Sequence, residues 1–274
     1  MSETLKAIIL GIVQGLSEFL PISSSGHLVL AEEMLKFHPP GMAFEVFVHF
    51  GTLFAVVIVF WKDVWGMIRW LPGVPGFIMN GLRIREENDR YRAMSFYIVV
   101  ATIPAAIVGL FFKDNIEHLF NSPQFVLGAL LVTALIMWSS RYTIESSRFF
   151  NLPFAVLIGI AQAFAIIPGI SRSGSTIVAA LWLGVKRETA AKFSFLLSIP
   201  VILGASILEF KHLYEAPPPA DQILNLVLAT IAAAVSGYFA IILLLEIIRK
   251  QKLEWFGVYC AIVGVIGLLY LSFS

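Results

Sequence analysis

The chain has 274 residues, of which 58% are hydrophobic and 14% charged, with a formal net charge of +1 and a single cysteine, Cys260. Ordinary soluble domains carry about 25% charged residues, so polar side chains are too few here to cover a globule; a soluble enzyme, a disordered chain and a nucleic-acid binder are excluded. One cysteine also excludes an intrachain disulfide and any multi-cysteine metal site.

An all-α polytopic membrane protein remains, because a helical span needs roughly 20 apolar residues. The first apolar region, residues 5–35, is cut by Pro21-Ile-Ser-Ser-Ser-Gly-His27, which leaves two arms too short to cross. Only Glu3 and Lys6 are charged ahead of the apolar run, and no small-residue cleavage motif closes it, so no signal peptide is read here. Three spans follow, at about residues 44–61, 93–112 and 125–140, with residues 71–92 as an interfacial loop and Trp61, Trp65 and Trp70 as a belt. A second interrupted region, residues 152–183, is cut by Pro168-Gly-Ile-Ser-Arg-Ser-Gly-Ser-Thr176. Three more spans complete the chain, at about residues 193–210, 223–248 and 255–273. Irregular backbone at membrane depth survives only where protein or water satisfies it, so each interrupted region reads as a re-entrant helical hairpin.

Cations orient the spans. Lys62, Arg69, Arg83, Arg85, Arg90 and Arg92 follow the first span, Arg141 and Arg148 the third, Lys186, Arg187 and Lys192 the second hairpin, and Arg249, Lys250 and Lys252 the fifth span. The remaining connections are poorer in cations and hold Asp114, Glu117, Glu215 and Asp221. All four basic segments fall on one side, the cytoplasmic one, when six stretches span and two do not; both termini then face outward. The hairpins enter from opposite faces, each followed by three spans. The expected plan is one integral membrane domain, 1–274, built of two inverted-topology repeats, about 1–148 and 149–274, a design that places a site at the midplane. Gly11-Ile-Val-Gln14 matches Gly159-Ile-Ala-Gln162, and Ile22-Ser23-Ser24-Ser25-Gly26 matches Ile170-Ser171-Arg172-Ser173-Gly174, both at an offset of 148.

The chemistry gathers at the two breaks. Gln14 and Glu18, spaced i, i+4, share a helix face, and Ser23, Ser24, Ser25 and His27 follow them. An ionisable residue within the membrane costs at least ~2.5–3.5 kcal/mol and marks function; Glu18, His27 and Arg172 converge if the hairpin tips meet. At the second break a helix N-terminus presents free N–H groups to an anion. The Arg172 fork grips phosphate oxygens, and Ser171, Ser173 and Thr176 complete a cradle. A carboxylate beside phosphate repels it unless it is protonated or metal-bound, which argues for Mg²⁺ or a similar ion on Glu18, with Gln14 and substrate oxygens. Phosphoryl transfer from a lipid-borne phosphate suits these parts. Plainer readings stand beside them: serines capping the second arm, Arg172 in a structural pair with Glu18, His27 as a core histidine. Glu45 and His49 either help guide the diphosphate or, the favoured reading, sit at headgroup level; Ser194 and Ser198 read as packing groups, and His38, His118 and His212 as solvated.

Gln14-Gly-Leu-Ser-Glu18-Phe-Leu-Pro-Ile-Ser-Ser-Ser-Gly-His27 and Pro168-Gly-Ile-Ser-Arg-Ser-Gly-Ser-Thr176 closely resemble the two signatures of the bacterial undecaprenyl-diphosphate phosphatases of the bacitracin-resistance type. The resemblance implies a multi-pass enzyme of the bacterial inner membrane that hydrolyses the C55 isoprenoid diphosphate to the monophosphate, recycling the peptidoglycan lipid carrier. It implies dependence on a divalent cation, Mg²⁺ or Ca²⁺, and a site open to the periplasmic side. By matching position it implies that Glu18 and His27 are acid/base or metal-binding groups and that Arg172 holds the diphosphate. Ser24 becomes a nucleophile or hydrogen-bonding group, and Ser23, Ser25, Ser171, Ser173 and Thr176 bind phosphate. Gln14 stands where some members have Glu, which removes a second carboxylate.

One rival, and the oligomeric state, stay open. A lipid-phosphate flippase would use the same anion site, though a carrier needs no acid/base group. The other membrane phosphatase family has Ser-Gly-His and Ser-Arg-x₅-His elements, but its second histidine position is Val178 here. An ion channel lacks a pore motif. The expected partners are the lipid substrate and the bilayer, with no nucleic acid and a homodimer among the options.

Overall fold

A computed structural model describes residues 1–37, 43–120, 122–146, 150–215, 217–250 and 252–273, without the side chains of 114, 117, 208–215 and 221. His38 and Arg148 lie outside the described residues, as do the side chains of Asp114, Glu117, His212, Glu215 and Asp221. Among the described residues there is no β-strand.

The first interrupted region forms α1 (Glu3–Phe19) and α2 (Ser24–Leu35). Pro21, which has no N–H to continue a helix, stands in the gap, and Ser23 takes a left-handed φ of 69° to start α2. A serine at positive φ is strained and persists only where its surroundings hold it. Ser23 is held as an N-cap, its hydroxyl accepting from the Gly26 N–H at 3.3 Å.

The second interrupted region forms α9 (Leu152–Phe164) and α10 (Arg172–Trp182), with the companion cap, Gly174 N–H to Ser171 Oγ at 3.1 Å. Gly169 in this gap has φ +92°, and a Cβ there would stand 2.1 Å from the Val126 carbonyl oxygen, so only glycine fits.

Between the hairpins run α3 (Ala43–Val59), α4 (Trp61–Trp70), α5 (Val74–Met79), α6 (Glu87–Phe111), α7 (Lys113–Phe120) and α8 (Pro123–Ser139). After them come α11 (Arg187–Glu215), α12 (Ala220–Arg249) and α13 (Glu254–Phe273). Five of these helices are long and apolar enough to cross a membrane: α6, α8, α11, α12 and α13. The sixth expected span is α3, which bends by 85° into the segment Trp61–Met79. Beyond the bend, Trp61, Trp65 and Ile68 are exposed, while Arg69 and Arg92 lie over the Trp70 ring at 5.5 and 5.3 Å. Aromatic anchors beside cations are the chemistry of a membrane interface.

The long helices expose large apolar side chains outward, such as Phe111 at 78% and Leu135 at 72%. Water would make that costly, whereas lipid tails match it. Inward, Phe193, Phe195, Leu196 and Leu197 of α11 are buried with Ile177 of α10 and Phe19 of α1.

The first arms of the two hairpins are held in matching ways. A Cβ on Gly11 of α1 would lie 2.3 Å from Ala229 O of α12, and one on Gly159 of α9 would lie 2.6 Å from Ala101 O of α6. Each hairpin thus packs its small-residue face on the second long helix of the other half, the close approach that glycine permits between membrane helices. The basic connections are also tied together. Lys192 pairs with Asp63 at 3.0 Å, Arg249 with Glu188 at 2.8 Å, and Ser146 Oγ donates to Gly184 O at 3.2 Å.

Candidate active site

The hairpin breaks meet. Gly169 N–H of the second gap donates to Ser25 Oγ in the first turn of α2 at 3.0 Å, and Ser173 Oγ of α10 lies 3.4 Å from Leu20 O of the first gap. Thr133 of α8 pins the second gap from behind: its hydroxyl donates to Gly169 O at 2.8 Å and accepts from the Ser171 N–H at 2.9 Å. Phe19 is fully buried edge-on against Phe195, ring centroids 5.7 Å apart, which fixes the end of α1 and with it the direction of the preceding Glu18.

Glu18 is the hub. One carboxylate oxygen takes Arg172 Nη2 from across the junction. The other accepts from Ser24 Oγ at 2.8 Å and from Gln14 Nε2 at 3.0 Å, with His49 Nε2 at 3.9 Å. Glu18 is 8% and Arg172 15% exposed, so both charges are largely out of solvent. A buried ion pair gains little stability over an apolar pair of the same shape, and two interrupted helices brought together to make one is better explained by what the guanidinium can bind. Gln14 Oε1 is buried with no hydrogen-bond partner, an orphan acceptor on the amide whose Nε2 donates to Glu18. Among the described residues no three His, Cys, Asp or Glu side chains form a ready-made metal cluster. Glu18 and Gln14 Oε1 nevertheless offer two hard oxygens, which fit a cation that takes its other ligands from water and phosphate.

The remaining predicted residues divide. Ser24 and Ser25 are partly exposed in the first turn of α2, Ser24 on the ion pair and Ser25 on Gly169 of the second gap. Ser23 and Ser171 spend their hydroxyls on capping, the plainer of the two readings of the sequence. Ser173 shares a hydrogen bond with Ser171 at 3.3 Å. Thr176 turns to α11, its hydroxyl 2.6 Å from Ser194 Oγ, which makes Ser194 the packing group expected.

His27 makes neither a hydrogen bond nor an ion pair with Glu18 or Arg172. Its Nδ1 lies 2.9 Å from Ser23 O and its Nε2 2.9 Å from the Tyr259 hydroxyl. The junction therefore joins carboxylate and guanidinium directly, with the imidazole held one helical turn beyond Ser24 against α13.

A family model described as bacitracin resistance protein BacA matches residues 7–266. The chain belongs to the BacA family. Curated relatives named undecaprenyl-diphosphatase include one from Halothermothrix orenii, 43% identical over 273 residues, with 97% of this chain and 98% of the relative covered. One from Alkaliphilus metalliredigens is 41% identical over 274 residues, covering 97% and 98%, and one from Geotalea daltonii is 39% identical over 279 residues, covering 99% and 100%. The resemblance carried by the two break motifs thus extends over this BacA-family chain as a whole.

Two side chains at or near the site were not assigned to it from the sequence. For His49 the headgroup reading is favoured over a part in guiding the diphosphate, yet its helix lies along the hairpin and brings the imidazole to Glu18. The signal available was its i, i+4 spacing from Glu45, whose carbonyl oxygen lies 2.7 Å from His49 Nδ1. Tyr259 carries no sequence signal, being one aromatic in an apolar helix.

Proposed function

We propose that this BacA-family protein hydrolyses undecaprenyl diphosphate to undecaprenyl phosphate and inorganic phosphate. The carrying observation is the Arg172–Glu18 pair closing the junction of the two gaps. A diphosphate entering there competes with Glu18 for the guanidinium, whose planar fork suits phosphate oxygens as well as it suits a carboxylate. Glu18, released from Arg172, keeps Ser24 Oγ–H on its other oxygen, and a hydroxyl hydrogen-bonded to a carboxylate is the pairing of a nucleophile with its base. The α10 N-terminus and the Ser25 and Ser173 hydroxyls face the same junction and complete the anion cradle.

Mg²⁺ or Ca²⁺ would be held by Glu18 and Gln14 Oε1 together with phosphate oxygens. When bound it neutralises charge on the diphosphate. The protein lies in the bacterial plasma membrane with its basic connections cytoplasmic, its two halves inverted about the midplane within one domain, and the junction open to the outer face. Lys62, Lys192 and Arg249 on the tied basic connections support that orientation. Hydrolysis at the outer face renews the carrier of cell-wall synthesis and removes the lipid diphosphate that bacitracin sequesters.

The test is phosphate release by the purified protein from prenyl diphosphates of graded chain length, with and without chelator. Release from the long-chain substrate, stopped by chelator and restored by Mg²⁺ or Ca²⁺, is expected. No release at any length would leave the phosphate carrier as the better reading, and full release in excess chelator would remove the metal.

A further inference from the structure

His27 is gripped at both ring nitrogens, and the two grips differ in kind. Ser23 O, 2.9 Å from Nδ1, is a carbonyl and can only accept, so Nδ1 carries the hydrogen. In the neutral imidazole Nε2 is then the lone-pair nitrogen, and the Tyr259 hydroxyl at 2.9 Å donates to it. The rings also stack, with centroids 5.5 Å apart and planes 11° from parallel. Hydrogen bond and stack together fix tautomer, ring plane and the direction of the lone pair.

The support behind Tyr259 is stiff. Its neighbour Cys260 is fully buried, with Sγ 3.9 Å from Pro21 O in the first gap. On the same helix a Cβ on Gly257 would stand 2.7 Å from Ala134 O, and one on Gly264 would stand 2.7 Å from a Leu131 methyl. α13 is therefore seated hard against α8, and Tyr259 cannot drift from the hairpin without that contact opening. Its ring and His27 both line a cavity of about 620 Å³ whose walls are mostly apolar but include Ser17 and Lys252.

We propose that Tyr259 is a positioning residue for His27. It holds the ring in place with Nε2 unprotonated, one turn from Ser24 on α2, until a water or a protonated phosphate oxygen replaces the phenol as the donor to it. The proposal rests on the hydrolase reading and adds to it a residue from the last helix, which neither break motif contains. Because Tyr259 acts through His27, its loss is expected to show in turnover and in the state of Nε2, with substrate affinity unchanged.

The variant is Tyr259→Phe, which keeps the stack and removes only the hydroxyl. Expected results are a kcat about tenfold lower, the worth of one hydrogen bond, an unaltered KM and an unaltered unfolding temperature. In ¹⁵N-histidine-labelled protein the His27 Nε2 resonance, identified by its loss in His27→Ala, should move toward the position of a free pyridine-type nitrogen. An unchanged kcat, an unmoved resonance, or a fall in unfolding temperature accompanied by a raised KM would each overturn the positioning role. Wild-type protein that releases no phosphate would refute the hydrolase reading instead, and the nitrogen resonance, which needs no turnover, would still decide the Tyr259 contact.

Discussion

Arg172→Ala is expected to lower kcat/KM for a long-chain prenyl diphosphate by about 10²–10³-fold, the usual cost of removing one fixed donor from a developing phosphate charge. The same substitution strips Glu18 of the one cationic partner that stands at hydrogen-bond distance among the described residues, and Glu18 is 8% exposed. An uncompensated buried charge costs about 3–5 kcal/mol, so unfolding in detergent should move to lower temperature as well. Arg172→Lys separates the two effects. An ammonium restores charge balance with Glu18 and so most of the stability, but it lacks the planar fork, and turnover should stay well below that of the unaltered protein. Steady-state kinetics beside a thermal unfolding curve on the same samples reads both. Near-normal turnover by Arg172→Ala would remove the guanidinium from the reaction.

Glu18→Gln is expected to change binding and turnover in opposite directions. The amide is nearly isosteric, and its oxygen still accepts from Ser24, which lies 2.8 Å from the carboxylate. The lost charge takes with it the acceptor for the Ser24 proton, and hydrolysis should fall about 10²-fold or more. Arg172, no longer neutralised, meets an incoming phosphate without first giving up a partner. With chelator present, so that no cation contributes, a non-hydrolysable diphosphonate should bind several-fold tighter to the variant. Full turnover would reduce Glu18 to a structural counter-ion. Weaker binding in chelator would mean that Glu18 helps to hold the ligand rather than competing with it.

These effects concentrate where the sequence is most legible. Both gaps stand out because Pro21 and Pro168 interrupt otherwise apolar runs and bring serines, a carboxylate, an imidazole and a guanidinium to membrane depth. The Glu18–Arg172 contact follows from the cost of leaving either charge alone in an apolar interior. Ser23 and Ser171 are ambiguous in principle, since a serine before a helix caps it whether or not it also meets a ligand.

What stayed hidden depends on packing between distant elements. His27 and Tyr259 are 232 residues apart, and a tyrosine near one end of an apolar helix looks like any interfacial aromatic. His49 is exposed or site-facing according to how α3 rolls against α1, which local spacing does not determine. The 85° bend after Val59 has neither proline nor glycine at Phe60 to announce it. The matching contacts of Gly11 and Gly159 are foreshadowed by the shared offset of their motifs, but their partners Ala229 and Ala101 are not.

The most direct measurement is an experimental structure of the protein with a methylene-bridged long-chain prenyl diphosphonate. The account predicts that Arg172 leaves Glu18 and forks onto the phosphonate oxygens between the two gaps, with Ser24 against the terminal phosphorus. A diphosphonate seated elsewhere, with the Arg172–Glu18 pair still closed, would contradict it.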